Sequence, residues 1–466
     1  MRILFIALLA LLVNVNLFAQ QKAGELQYML EKANVDLSTL NDLEVKGEMD
    51  ARDFKFIAEE IPNLKTLNLE AVSIKEYSSS ESLFGNYVSF VADELPPMSF
   101  MGSKLNSIVL PASLKTVGEG AFTAAQLKEI NLPEKVTEIK SMSFNAMPNL
   151  TTVTGGLGVE KIGDYAFANC PRLESLPTMP IAEIAPYAML GCKNLKSFEF
   201  AASLTQIGEG AFKGSGLANI DLSKCNNLSV IGAWAFADMT AIETIKMPRE
   251  LTTIGLGAFC FNTVKNQVEF PASLTKINDL AFAATELPNY QIIPEGVDSI
   301  GDFAFADWKT TIRIIFPASV SHIGEQAFRN WTSLSLIDAY PMTPPTLGAE
   351  VWKGVDKGKV NVRVAETAIP LYQSADQWRE FFYSGVEVMP TDDSFRFTVK
   401  EDILNIQSSN IITEYTLFDI RGIVLAMGEP NAEQVAVDLT NFGGNLFVVR
   451  CVLENKEVKY IKIACK

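Results

Sequence analysis

From about residue 105 to residue 334 the apolar positions follow a fixed phrase, not the period of a helix or of one long strand. One copy reads Leu127-Lys-Glu-Ile130-Asn-Leu132-Pro133, then Val136 and Ile139. Another reads Leu195-Lys-Ser-Phe198-Glu-Phe200, then Leu204 and Ile207-Gly208-Glu-Gly-Ala211-Phe212. The closing Ala-Phe, or a stand-in, recurs at Phe122, Phe144, Phe167, Met189, Phe212, Phe236, Phe259, Phe282, Phe305 and Phe328, at intervals of 22 to 24 residues. Phe100, 22 residues before Phe122, reads as a degenerate first copy. Self-similarity at this period is the mark of a repeat architecture.

Each phrase predicts its own local structure. Two-residue alternation at Ile130 and Leu132 places both on the inner face of a short strand. Pro133, like Pro111, Pro248, Pro271, Pro294 and Pro317, ends that strand because it has no N–H for a ladder. Gly118, Gly163, Gly208, Gly232, Gly255, Gly301 and Gly324 suit a turn whose backbone is left-handed or crowded. The following alanine fits a close approach, and the phenylalanine serves as a large plug. Five or six buried side chains per coil do not offset the entropy of ordering about 23 residues. Stacking lets each coil bury both faces, so the repeats are expected to form one solenoid.

The run Leu105-Asn-Ser-Ile108-Val-Leu110-Pro111-Ala-Ser-Leu114-Lys-Thr-Val117-Gly118-Glu-Gly-Ala121-Phe122 resembles the BspA-like class of bacterial leucine-rich repeats, L-x-x-I-x-L-P-x-S-L-x-x-I-G-x-x-A-F. The resemblance covers residues 64–334, with departures at Pro186, Met189 and near Asn289. It implies a right-handed coil with a parallel sheet face, and an adhesin-like or receptor-like role.

The rest of the chain reads as an export signal, caps and a tail. Arg2, the apolar run Ile3 to Val13, and Leu17-Phe18-Ala19 predict a signal peptide over residues 1–19. Residues 20–63 read as a helical cap: Leu26, Met29, Leu30 and Ala33 share one helical face, and Phe54, Ile57, Ala58 and Ile61 another. Asp50 or Asp53 is the N-cap of the second helix, and Leu43-Glu-Val45 a first strand. Repeats occupy 64–334. Residues 335–388, with Val360, Val362, Val364, Tyr372, Trp378, Phe381 and Phe382, close the solenoid. After Met389-Pro-Thr-Asp-Asp393, residues 389–466 alternate in short runs separated by turns, which predicts a small β-sandwich. Within it, Leu417-Phe-Asp419-Ile-Arg-Gly422 and Val437-Asp-Leu439-Thr-Asn-Phe-Gly443-Gly444 resemble C-terminal sorting domains of the type IX secretion route.

Composition narrows the function. A net charge of −16 disfavours nucleic acid and anionic membranes as partners. The mature chain carries no run of apolar residues long enough to span a bilayer. Cys170 and Cys192 share a repeat slot, and Cys225 likewise stands three residues before a leucine. They read as buried thiols, although neighbouring rungs would bring Cys170 and Cys192 within bridging distance.

Glu119, Asp164, Glu209, Asp279, Asp302 and Glu325 recur three residues before the plug. A cation-binding stripe would use such a column. Capping of a turn that opens into a short helix explains it without a metal, and no calcium-loop pattern accompanies it. The lone histidine, His322, sits in a slot filled elsewhere by Thr116, Glu138, Lys161, Gln206, Thr253 and Lys276, a variable exposed position. No nucleotide loop, nucleophile elbow or zinc spacing is present. The sequence therefore predicts no catalytic residues, cofactor or metal.

Strand positions flanking the central apolar residue should form the exposed sheet face. They are polar through most coils: Glu129 and Asn131, Ser197 and Glu199, Asn219 and Asp221, Thr244 and Lys246, Gln267 and Glu269. The character then changes to Tyr290 and Ile292, followed by Arg313 and Ile315. Aromatic, aliphatic and arginine side chains together are the usual composition of an interface hot spot. The alternative is that the closing segment folds over them. The expected function is an exported, non-catalytic scaffold at the cell surface or outside the cell. Its partner would be an extracellular protein of a host or a neighbouring cell. A carbohydrate-capturing surface protein is the second reading, and a glycoside hydrolase the third.

Overall fold

The computed structural model describes residues 15–16, 21–239, 242–266, 268–285, 290–382, 388–389, 395–400, 403–419, 424–440, 442, 446–456 and 458–464. Apart from Val15–Asn16, which pair in parallel with Leu43 and Glu44, the expected signal peptide lies outside these residues. So do Gln267, Asn289, residues 390–393, Gly422, Gly443 and Gly444. The chain divides into two compact units, Met1–Val388 and Met389–Lys466.

In the first unit the short strands fall into two columns. One column of eleven parallel strands runs from Thr116–Val117 to Thr346–Leu347. Its register sets like residue beside like: Ile139 pairs with Val117 and Ile162, and Ile277 with Ile254 and Ile300. The second column holds the strands predicted from the Leu-x-x-Ile-x-Leu phrase. At Glu129–Leu132 the burial alternates exposed, buried, exposed, buried, so Ile130 and Leu132 face inward. This column is interrupted, and isolated bridges through Ser175 and Ser197 stand where strands would be.

The plugs form the spine. Phe122, Phe144 and Phe167 are fully buried, with ring centroids 5.4 and 5.0 Å apart, within the range of offset stacking. The stack resumes from Phe212 through Phe328 and ends on Trp352, 4.9 Å from Phe328. Met189 breaks the row of rings. Phe198 and Phe200 supply edge-on contacts to Phe212 there, at 5.1 and 5.4 Å.

The slot glycines answer the choice left open by the sequence. Gly118, Gly163, Gly208, Gly232, Gly255, Gly301 and Gly324 have no left-handed backbone. A Cβ there would come within 1.9 to 2.6 Å of the preceding coil. Crowding is the reason for glycine. The left-handed positions lie two residues either side of the plug, as at Tyr165 and Asn169 around Phe167.

No helix follows the acidic slot, which corrects the helix-capping expectation. The segment is a run of turns in which alternate amides bond within the coil and to the next one. Ala121 N–H reaches Gly118 O at 3.2 Å, while Phe122 N–H reaches Ser143 O at 2.7 Å. Two of the carboxylates instead accept from the same slot one coil on: Asp279 Oδ1 from Asp302 N–H at 2.9 Å, and Asp302 Oδ1 from Glu325 N–H at 2.6 Å.

In six coils the residue three past the plug is a donor to the preceding coil. The thiols of Cys170 and Cys192 donate to the carbonyls of Phe144 and Phe167, both at 3.0 Å. Asn262, Thr285, Trp308 and Trp331 do the same to Phe236, Phe259, Phe282 and Phe305. Cys170 and Cys192 are free and buried. Cys225 belongs to another column, facing Ala201 O at 3.4 Å, because the leucine that follows it fills a different slot of the coil.

At the N-terminal end, helices span Leu26–Lys32 and Ala51–Glu60. Asp50 caps the second helix and Asp53 completes the capping box. Asp53 also accepts from Gly24 N–H and Leu26 N–H, tying the two helices together. Burial outweighs these bonds and raises its pKa. Ala33 and Ala58 are exposed, contrary to expectation: Ala33 lies past the end of the first helix, and Phe56 is buried where Ala58 was expected. At the other end Tyr372, Trp378 and Phe381 enter the core. Tyr372 Oη donates to Pro341 O, and Trp378 Nε1 donates to Pro345 O.

The second unit is a six-stranded antiparallel sheet organised by one long strand, Ile403–Asp419. Its first part pairs with Phe395–Lys400 and Ala432–Asp438, its last part with Val424–Gly428 and Leu446–Leu453. Both halves share one core. Leu404, Ile406, Val435 and Val437 from the first pack with Leu417, Phe447, Val449 and Cys451 from the second. The alternation thus yields a small antiparallel β unit, its strands all in one sheet.

Candidate binding face of the solenoid

Strand alternation turns one column of side chains outward per flanking position, and parallel register aligns these columns from coil to coil. In the earlier coils the columns satisfy themselves. Thr154 donates to Asn131 at 2.9 Å and Thr244 to Asn219 at 2.6 Å. Lys246 pairs with Asp221 at 2.7 Å, which, with help from Ser223, holds the Asp221 carboxyl down to about 2.

Four strands then run side by side: Tyr290–Ile292, Arg313–Phe316, Leu336–Ala339 and Asn361–Ala365. Tyr290, Arg313, Leu336 and Asn361 occupy one outward column. Ile292, Ile315, Asp338 and Arg363 occupy the other. The four residues singled out in the sequence, Tyr290, Ile292, Arg313 and Ile315, are thus neighbours on two adjacent strands, each half-buried.

The structure adds Asp338 at the centre. It is 1% exposed, and an ionised carboxylate so buried requires partners. Arg313 Nε donates to Oδ2 at 2.6 Å, and Arg363 Nε donates to Oδ1 at 2.5 Å. The Nη2 of each arginine closes on the same oxygen. Tyr340, 52% exposed, stands close enough for its hydroxyl to feel Asp338, both arginines and Glu295. Desolvation is the main cause of that hydroxyl's raised pKa. The Arg313 side chain keeps 38% of its surface, and Met342 is also exposed, so the closing segment leaves solvent access here.

Asp338, Arg363, Leu336 and Tyr340 escaped sequence reading because they lie past residue 334, in the stretch read as a cap. Carrying the strand register two coils further would have found them: Arg313, Asp338 and Arg363 are spaced 25 residues apart.

Two grooves elsewhere on the solenoid hold charges that pair with one another. A groove of about 540 Å³ beside Gly348 contains Glu350 and Lys353, paired with each other, and Lys357 paired with Glu380. A smaller one of about 120 Å³ contains Glu94 bonded to Lys140 at 2.7 Å, and Tyr87 bonded to Glu119. His322 is exposed, with Nδ1 3.1 Å from Thr346 Oγ1. Among the described residues no three His, Cys, Asp or Glu groups are placed to hold a metal ion, and no helix is long and apolar enough to cross a membrane.

A sequence profile described as BspA type Leucine rich repeat region matches in six copies, over residues 93–180, 175–288 and 260–351, more than half of the chain. No curated protein matches the chain. Among solved structures, a leucine-rich repeat protein from Bacteroides ovatus is similar at 22% identity and a TM-score of 0.54, covering 75% of this chain and 84% of that one. A leucine rich cell surface protein from Faecalibacterium prausnitzii has 20% identity and a TM-score of 0.32, over 64% of this chain and 83% of that one. The pneumococcal vaccine antigen PcpA has 14% identity and a TM-score of 0.37, over 74% and 79%.

Proposed function

The chain belongs to the BspA-type leucine-rich-repeat family, and from that premise we propose that it is an exported, non-catalytic scaffold that binds another extracellular protein. The observation that carries this reading is the change of character along the sheet face. Columns of polar side chains paired with one another give way to Tyr290, Ile292, Arg313 and Ile315, where aromatic, aliphatic and guanidinium groups lie side by side and Arg313 is held by Asp338. Such a patch supports a hot spot, because large apolar contacts and forked donors combine in one place. The self-satisfied coils would then serve as spacer.

Export is supported by the residue pattern of 1–19, and placement at the cell surface or beyond by the same pattern. We further propose that residues 389–466 act as a sorting domain of the type IX kind, on the strength of the phrases around Asp419 and Leu439. An adhesin-like role toward a host or neighbouring cell follows from an exported binding face.

A carbohydrate-capturing role would call for an aromatic platform. Tyr290 is followed in its column by Arg313 and Leu336, and Tyr340 stands past the end of the third strand, so the two rings are not register neighbours. The test is to probe the purified chain against extracellular protein and glycan arrays in parallel. Protein capture that is lost in Tyr290→Ala and Arg313→Ala supports the proposal. Glycan capture alone, or capture indifferent to both substitutions, overturns it.

A further inference from the structure

We infer that Arg313 and Arg363, drawn together by the buried carboxylate of Asp338, form an anion-binding subsite for the acidic side chains of a polypeptide partner. This deepens the protein-binding reading and rests on it. The two arginines stand on strands separated by Leu336–Ala339, and their like charges would hold them apart without Asp338 between them. Asp338 takes Nε and Nη2 of each, one guanidinium per oxygen. Each fork is therefore used along one edge only. Among the described residues neither Nη1 has a hydrogen-bond partner.

One arginine would neutralise Asp338. The second leaves a surplus of one positive charge, fixed in place, on a chain whose net charge is −16. Planar forks pre-set by a buried carboxylate lose little freedom on taking a further carboxylate. Glu295 adds negative charge on the side of Tyr340, so the attraction is local to the two guanidiniums.

The flanks select the class of partner. Ile292 and Ile315 continue the column of Asp338, and Leu336 lies beside Arg313. Aliphatic groups around a cationic centre match glutamate or aspartate set among leucine, isoleucine or phenylalanine. A polyanionic sugar or nucleic acid lacks those apolar groups and would also meet a chain whose net charge is −16.

The test is selection of random twelve-residue displayed peptides on the full chain, repeated on Arg363→Gln and Arg363→Lys. In the Gln variant Arg313 still neutralises Asp338, and melting of each variant checks the fold. Selected peptides should be rich in Glu or Asp beside aliphatic residues. Their binding should weaken roughly tenfold on Arg363→Gln, on Arg363→Lys, or when the peptide Glu is changed to Gln. Peptides without acidic enrichment, or bound equally by the variants, overturn the subsite. If neutral peptides are selected and lost in Tyr290→Ala, the subsite falls and the protein-binding reading stands. Preferential capture of a uronate oligosaccharide removes both.

Discussion

The indole N–H of Trp331 donates to the carbonyl of Phe305, one coil earlier, at 2.6 Å. Cys170, Cys192, Asn262, Thr285 and Trp308 make the equivalent bond at their own coils. A buried carbonyl on the turn side of the coil is thereby satisfied by a side chain of the next one. Coils are joined here by polar bonds as well as by stacked rings.

Trp331→Phe keeps much of the ring and removes the donor, leaving a buried acceptor less satisfied. The expected loss is about 1–3 kcal/mol. Chemical denaturation of the variant against the wild type measures it, and an unchanged midpoint would mean that water reaches the Phe305 carbonyl.

Gly232→Ala places a Cβ 2.5 Å from the Ile207 carbonyl oxygen of the preceding coil. Backbone must shift, at a cost of about 1–3 kcal/mol. Gly102→Ala, where nothing lies within 4 Å but φ is +66°, carries strain without a clash. It should be the milder of the two in thermal unfolding.

The buried thiols give a pH dependence with a definite sign. Burial pushes the Cys170 thiol up to about 12 from an ordinary value of 9.0, and raises Cys192 in the same direction. The unfolded chain loses these protons first as pH rises. Their contribution to stability is therefore complete below pH 9 and declines between about pH 9 and 12. Substituting Ala at both positions should flatten that part of the stability profile. Native protein at pH 8 should resist a thiol reagent at both cysteines, and rapid labelling there would contradict their burial.

Much of this was legible in the sequence, and the reasons are particular. Phe122 to Phe328 recur because every coil needs one large plug, so period and spine could be read directly. The glycine slot could be located, but crowding and a left-handed turn leave the same residue, and only the approach of Gly118 to the Leu95 carbonyl separates them. The acidic slot is ambiguous for a similar reason. A carboxylate that caps a helix and one that caps the next coil, as Asp302 does for Glu325, have the same local sequence. Tyr290 and Arg313 stood out by residue type. Asp338 did not, because an aspartate gains its meaning from two arginines 25 residues away on either side.

The account stands on coils that are stable only when stacked in register. The most direct measurement is thermal unfolding of two internal deletions. Removing residues 231–253 joins Val230 to Ile254 in the same strand slot and drops one whole coil. Removing residues 231–242 drops half of one and sets unlike slots side by side. The account predicts a cooperative transition close to wild type for the whole-coil deletion, and loss of the folded state for the half-coil deletion. Equal stability of the two would contradict it.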